Sequence, residues 1–167
     1  MDSDFVKSLG QFDIVYSWGV LHHTGNMALA LDNIDLPVKP GGKLFIAIYN
    51  DEGLPSKIWM NIKKTYNANL IGRYLMTAIC LPYFFLGSLA IDLLKLQNPF
   101  KRYAEYNKKR GMSVYHDWID WIGGYPFEVA SVKQLFDLFK TKNYLLTHIQ
   151  TTNKLGCNEL VFQKKNI

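Results

Sequence analysis

Cysteine is scarce: Cys80 and Cys157 are the two in 167 residues. They lie far apart in unlike surroundings, so neither a disulfide framework nor a metal-type cysteine spacing is available, and a reduced, cytoplasmic compartment is the expected setting. No G-x-G-x-x-G occurs, which removes the dinucleotide fingerprint and the main support for a nicotinamide-dependent oxidoreductase. Internal repeats and low-complexity tracts are absent. The opening Met1-Asp2-Ser3-Asp4 has neither the basic nor the apolar region of a secretory signal. Charge is modest: net +5, with pI near 9.1, fits a slightly basic solvated surface and gives no reason to expect a nucleic-acid partner. What is abundant is apolar. A hydrophobic fraction of 49% with 14% aromatics excludes a disordered chain. A domain of this length buries about 70% of the surface its unfolded chain exposes, so one domain with a subsidiary lobe is expected.

The chain is organised around 12–49. Phe12-Asp13-Ile14-Val15-Tyr16 is a short apolar run that breaks at Ser17-Trp18-Gly19. Thr24-Gly25-Asn26 offers a helix start, and Met27, Ala30, Leu31 and Ile34 recur at helical spacing. Lys39-Pro40-Gly41-Gly42 is expected to stop that helix, with Pro37 shortening it. Leu44-Phe45-Ile46-Ala47-Ile48 follows without alternation, as suits a parallel strand buried on both faces. The stretch therefore reads as a βαβ unit with both strand ends, Ser17-Trp18 and Tyr49-Asn50, on one rim, where open α/β sheets bind ligands.

On either side, Asp4–Gly10 reads as the end of a helix. Pro55 opens a helix with Ile58, Trp59, Ile62 and Tyr66 on one side. Leu70–Leu96 is the most apolar segment, uncharged from Tyr74 to Ala90. Because Pro82 and Gly87 interrupt it and Asp92 lies near its end, a broken pair of helices in a buried lobe is expected. Contact with a membrane through residues 70–110, or a true span, is left open. Lys101, Arg102, Lys108, Lys109 and Arg110 are then either a solvated helix face closed by Gly111 or partners for anionic headgroups. Met112–Trp121 is a short helix with its tryptophans inward or a cluster of titratable groups. Ser131 with Gln134 makes a capping box, Asn143 closes that helix in the left-handed conformation, and Tyr144–Thr151 with Asn158–Gln163 forms an antiparallel hairpin.

Phe12-Asp13-Ile14-Val15-Tyr16-Ser17-Trp18-Gly19-Val20-Leu21-His22-His23 followed by Val38-Lys39-Pro40-Gly41-Gly42-Lys43-Leu44 resembles the fourth-to-fifth-strand segment of class I S-adenosylmethionine-dependent methyltransferases. Arg110-Gly111-Met112-Ser113, Asp117-Trp118-Ile119-Asp120-Trp121 and the stretch from Gly123 to Ser131 look like a bacterial small-molecule or quinone-type subgroup. The resemblance implies an α/β fold, a partial Rossmann-like sheet of strands four to seven in spatial order 4-5-7-6, the last antiparallel. It implies core pieces at 1–53 and 131–167 around a helical lid at 54–130. The family's glycine-rich loop and its ribose-binding acidic residue have no counterpart in this sequence. A truncated form with half a cofactor site, inactive alone, is the expectation.

The same resemblance assigns the cofactor, S-adenosyl-L-methionine, to Ser17, Trp18, Gly19 and Val20, and the substrate to Tyr49 and Asn50. Arg110, His116, Asp117, Asp120 and Glu128 are the lid candidates for orienting a small substrate. His22 or His23 could serve as general base, since imidazole titrates near neutrality, or could instead cap the next helix or line the core. A zinc site from His22, His23, His116 and His148 lacks supporting spacing. Leu75, Ile79, Phe84, Phe85 and Leu89, if they line the acceptor pocket, favour an aromatic or lipid-like acceptor. The rival expectation is a non-catalytic module offering a protein partner or membrane its apolar lobe and the open sheet edge at Phe12–Tyr16, which also invites self-association.

Overall fold

The computed structural model describes residues 2–166, and for Lys109 its backbone alone. Met1 of the acidic opening and the Lys109 side chain lie outside the described residues. In chain order the elements are α1 (Ser3–Ser8), β1 (Phe12–Trp18), a 3-10 turn (Leu21–His23), α2 (Met27–Asn33), β2 (Val38–Tyr49), α3 (Leu54–Ala68), α4 (Leu70–Leu94), α5 (Pro99–Arg110), α6 (Val114–Gly123), α7 (Val132–Thr141), β3 (Tyr144–Gln150) and β4 (Cys157–Lys164). They fall into two compact units, a sheet unit of Met1–Ile58 with Pro126–Ile167 and a helical unit of Trp59–Tyr125.

The sheet runs β1-β2-β4-β3, the order expected from the sequence. β1 lies parallel to β2, with Val15 beside Leu44 and Trp18 beside Ala47, while β4 is antiparallel to both β2 and β3. This is a four-stranded mixed sheet in an α/β fold, with a parallel pair at one side and an antiparallel hairpin at the other. Local signals drive the closing elements: Ser131 and Gln134 make a reciprocal capping box at α7, and Asn143 takes φ +64° before β3.

The core lies on one sheet face. Val15, Leu44, Ile46, Ile48, Leu160 and Phe162 pack against Leu31 of α2 and against Leu135 and Phe139 of α7. The burial on both faces expected of the Leu44–Ile48 run holds, with Leu44, Ile46, Ala47 and Ile48 all 0% exposed and Phe45 partly buried; β1 is the strand that does not share it. Ile14 and Tyr16 point the other way and are 68% and 65% exposed, with Trp18 half exposed beside them. Strand alternation sends every second residue of β1 to the face that the core helices do not cover. The sheet face that β1 presents on that side is therefore apolar and uncovered in this chain.

Helix α2 also differs from expectation. It ends at Asn33, and Lys39-Pro40-Gly41-Gly42 already belongs to β2 instead of stopping the helix. Pro37 disfavours helical geometry at Leu36, and its carbonyl accepts from the Phe12 amide at 2.7 Å, which draws the chain into the sheet. A register shift between Phe12 and Ile14 follows. Gly42 makes it feasible, because a Cβ there would stand 2.9 Å from the Lys39 carbonyl oxygen and 3.1 Å from that of Phe12.

In the helical unit, α4 is one continuous helix of 25 residues passing through Pro82 and Gly87, not a broken pair, and most of it is exposed. A proline inside a helix costs one backbone hydrogen bond and crowds the carbonyl four residues earlier. Here a stripe of contacts offsets that cost: Phe84 packs on Trp59 and Trp118, the Ser88 hydroxyl meets that of Tyr103 at 3.0 Å, and Asp92 pairs with Arg102. Asn69 caps the start, and Gly111 closes α5 at φ +76° as expected.

Lys63 of α3 is the largest fully buried side chain. Its ammonium donates to the Trp121 carbonyl and lies 4.5 Å above the Trp121 ring. Burial pushes its pKa down to about 8, with Asp120 opposing the shift. In the unfolded chain the same ammonium titrates at the ordinary lysine value of 10.5, so it holds a proton there that the native state releases between those two values. Stability of the helical unit should therefore rise with pH across that window and carry a constant penalty below it. Lys63→Met is expected to stabilise the unit by about 2 kcal/mol at pH 7 and by much less near pH 10. Urea midpoints at the two pH values check this, and an equal difference at both would rule it out.

Candidate functional site

Because β1 and β2 are parallel, Trp18 and Tyr49 leave the sheet at the same end. Ser17 points into the core side and is buried. The Trp18 indole donates to Glu159 of β4 at 3.1 Å, which fixes its ring across the sheet end. Gly19 still donates its amide to the Ala47 carbonyl at 3.2 Å, then turns out of the sheet at φ +72°. Nothing lies within 4 Å of where a Cβ would stand there, so the backbone is bare on that side. Val20 follows, exposed, and Leu21 closes the turn inward.

The two histidines separate clearly. His22 is 1% exposed; its Nδ1 accepts from the Tyr49 amide at 3.3 Å and its ring lies 4.0 Å from that of Tyr49. It joins the 3-10 turn to the end of β2. His23 is partly exposed, and its Nδ1 lies 2.6 Å from the Pro126 carbonyl. A carbonyl only accepts, so Nδ1 carries the proton and the lone pair is left on Nε2.

Asn50 is held on every side. Its amide donates to Glu52 and to the Thr152 carbonyl, its Oδ1 accepts from fully buried Asn158 at 2.8 Å, and its backbone bridges to Ala130. Glu128 accepts from the Met27 amide at 2.9 Å and caps α2. Both residues build the rim; the Asn50 amide is engaged at both ends, whereas the Glu128 carboxylate keeps further acceptor capacity. Asn158, Glu159 and the Pro126 carbonyl escaped the sequence reading. Asn158 and Glu159, adjacent polar residues at the start of β4, were the visible signal; a backbone carbonyl leaves none.

Ser17, Trp18, Gly19, Val20, His22, His23, Tyr49, Asn50 and Glu128 thus all belong to the sheet unit and meet at or beside one rim. Arg110, His116, Asp117 and Asp120 belong to the helical unit. There Arg110 pairs with Asp117 at 3.0 Å, and the Tyr106 hydroxyl donates to the same carboxylate. Burial, with Asp117 adding to it, pushes the Tyr106 phenol up. His116 shares a hydrogen bond with Ser113 at 2.7 Å within the first turn of α6. A cleft of about 670 Å³ in this unit is lined by Asn98, Lys101, Arg102, Tyr106 and Arg110, with Asp92, Gln97 and Glu105, and by no rim residue. Among the described residues no group of three or more His, Cys, Asp or Glu side chains could hold a metal.

No protein-family model matches the sequence, and no curated protein matches it. Solved structures do. PKMT2 from Rickettsia typhi in complex with AdoHcy is 12% identical, with 95% of this chain and 36% of that one covered at a TM-score of 0.51. PKMT2 from the same organism, in a second structure, is 13% identical over 96% and 37% at 0.49. An O-methyltransferase family protein from Burkholderia thailandensis is 12% identical over 99% and 34% at 0.48. The chain spans about a third of the length of these proteins. At such identity the likeness to AdoHcy-bound PKMT2, at a TM-score of 0.51, shows the fold alone, a partial Rossmann-like methyltransferase fold.

Proposed function

We propose that the sheet unit is the carboxyl-terminal part of an S-adenosylmethionine-dependent methyltransferase core that acts on a small acceptor, with residues 54–130 as its substrate-recognition insertion. The observation that carries this reading is the uncovered, glycine-turned exit of β1 on a sheet ordered β1-β2-β4-β3. The residues fit part of such a cofactor. Bare backbone at Gly19, flanked by exposed Trp18 and Val20, offers an apolar and amide surface. None of Ser17–Val20, His23 and Tyr49 carries a carboxylate for ribose hydroxyls, so binding by this chain is weak.

The cofactor, when bound, supplies an electrophilic sulfonium methyl. This chain's residues orient the acceptor and manage its proton. His23, its tautomer set by the Pro126 carbonyl, takes a proton from an acceptor hydroxyl at Nε2. His22 is enclosed and holds Tyr49 and the turn in place. Tyr49 bounds the acceptor space, and an aromatic or lipid-like acceptor suits its ring.

The test is an amide-shift titration of the ¹⁵N-labelled chain with S-adenosylhomocysteine to about millimolar concentration, where binding of order −4 kcal/mol becomes visible. Shifts confined to Ser17–Val20, His23 and Tyr49, with none from NAD, are expected. Silence at these residues, or a stronger response to NAD, would overturn the reading. A second reading, a non-catalytic module of the same fold, draws on the exposed Ile14 and Tyr16 face, and the silent outcome favours it.

A further inference from the structure

Helix α4 is apolar on the side that packs and also on the side that does not. Its packed stripe, through Cys80, Phe84, Ser88 and Asp92, recurs every fourth residue. Leu75, Ile79, Tyr83 and Leu86 form the opposite face, each at least half exposed. Only 6% of its most apolar 18-residue window is buried, at a mean hydropathy of 1.8. Residues 74–91 carry no charge; Arg73 precedes them, and Asp92, paired with Arg102, follows. Contiguous apolar surface of this extent on a water-facing helix marks an interaction site.

Charge indicates the kind of partner. Trp59–Tyr125 contains nine lysines and arginines against four acidic residues, whereas the sheet unit has ten of each. The whole net charge of +5 therefore sits in the unit that bears the apolar face. A second copy would bring two such basic units together and be repelled, whereas an anionic surface would be attracted.

We propose that the helical unit docks through the Leu75–Ile79–Tyr83–Leu86 face of α4 onto an anionic phospholipid bilayer, lying in the interface, with the basic excess of the unit, to which the exposed Lys101 and Lys108 contribute, drawing it to anionic headgroups. A span is disfavoured by the packed stripe. At about 1.5 Å per residue the helix is long enough to cross a hydrocarbon core of roughly 30 Å. Crossing would carry the Asp92–Arg102 pair and the Ser88–Tyr103 hydrogen bond into lipid or break them. In-plane binding keeps both and buries only the outward face. The inference does not depend on the methyltransferase reading.

Flotation of the full chain with vesicles provides the test. Co-flotation with phosphatidylcholine containing one-third phosphatidylglycerol is expected to be at least roughly tenfold tighter than with phosphatidylcholine alone, and to weaken several-fold in 0.5 M salt. Ile79→Glu with Leu86→Glu should abolish it without changing the circular dichroism spectrum, since both residues are exposed. Lys101→Glu with Lys108→Glu should remove the preference for anionic vesicles while leaving the helix content intact. Absence of flotation, equal flotation with both vesicle types, or retention on the membrane after carbonate extraction overturns the proposal. So does a dimer in sedimentation equilibrium that the Ile79→Glu, Leu86→Glu variant disrupts.

Discussion

Phe139→Ala is expected to cost the sheet unit about 3–5 kcal/mol, the range for removing a fully buried phenyl ring and leaving a cavity. Phe139 is 0% exposed, and its ring centroid lies 4.7 Å from that of Phe162 and 5.5 Å from that of Tyr144. Helix α7 thus holds the two antiparallel strands on which β2 depends. A domain with a total stability of about 5–15 kcal/mol loses at least about a fifth of it through this one change. Phe136, three residues earlier on the same helix, is 37% exposed, and its truncation should cost under about 1 kcal/mol. Urea denaturation followed by far-ultraviolet circular dichroism measures both. Equal costs at the two positions would mean that α7 does not pack as described.

Gly72→Ala is the second large effect, and it arises in the helical unit. A Cβ at Gly72 would stand 2.2 Å from the Thr65 carbonyl oxygen, a backbone atom that no rotamer change can move. Relief requires α3 and the start of α4 to separate, so a cost of about 3 kcal/mol or more is expected, at the upper end for overpacking. Gly87 lies on the same helix with nothing within 4 Å of its Cβ position. Gly87→Ala should be neutral or stabilise by up to about 1 kcal/mol, since alanine favours helix over glycine. The opposite signs are the informative result. Thermal melts showing both variants destabilised would indicate that backbone flexibility at these glycines matters more than space.

Much of the site was legible because its signals are local. The apolar run ending at Ser17-Trp18-Gly19 and the second run ending at Tyr49 define two parallel strands whose ends must share a rim, and the rim residues followed. The difference between His22 and His23 was not legible. The two are adjacent and chemically identical, and their divergence depends on which one meets the Tyr49 amide and which the Pro126 carbonyl, from chain more than 100 residues away. The hydrogen bonds that tie Asn50 to Asn158 and Thr152, and Glu128 to the Met27 amide, were not legible either, because spacing does not reveal partners so distant in the chain.

By itself the sequence determined the element types, the capping box at Ser131, the left-handed closures at Gly111 and Asn143, and the strand order that the family resemblance implied. These rest on backbone preference and on hydrophobic periodicity, which act over a few residues. Tertiary structure alone decided that β1 exposes one apolar face, that α4 continues through Pro82, and that Lys63 is enclosed while Ile79 is not. Each of those outcomes depends on what a distant segment covers or leaves bare, and an apolar residue reads the same in sequence whether a helix, a lipid surface or water lies against it.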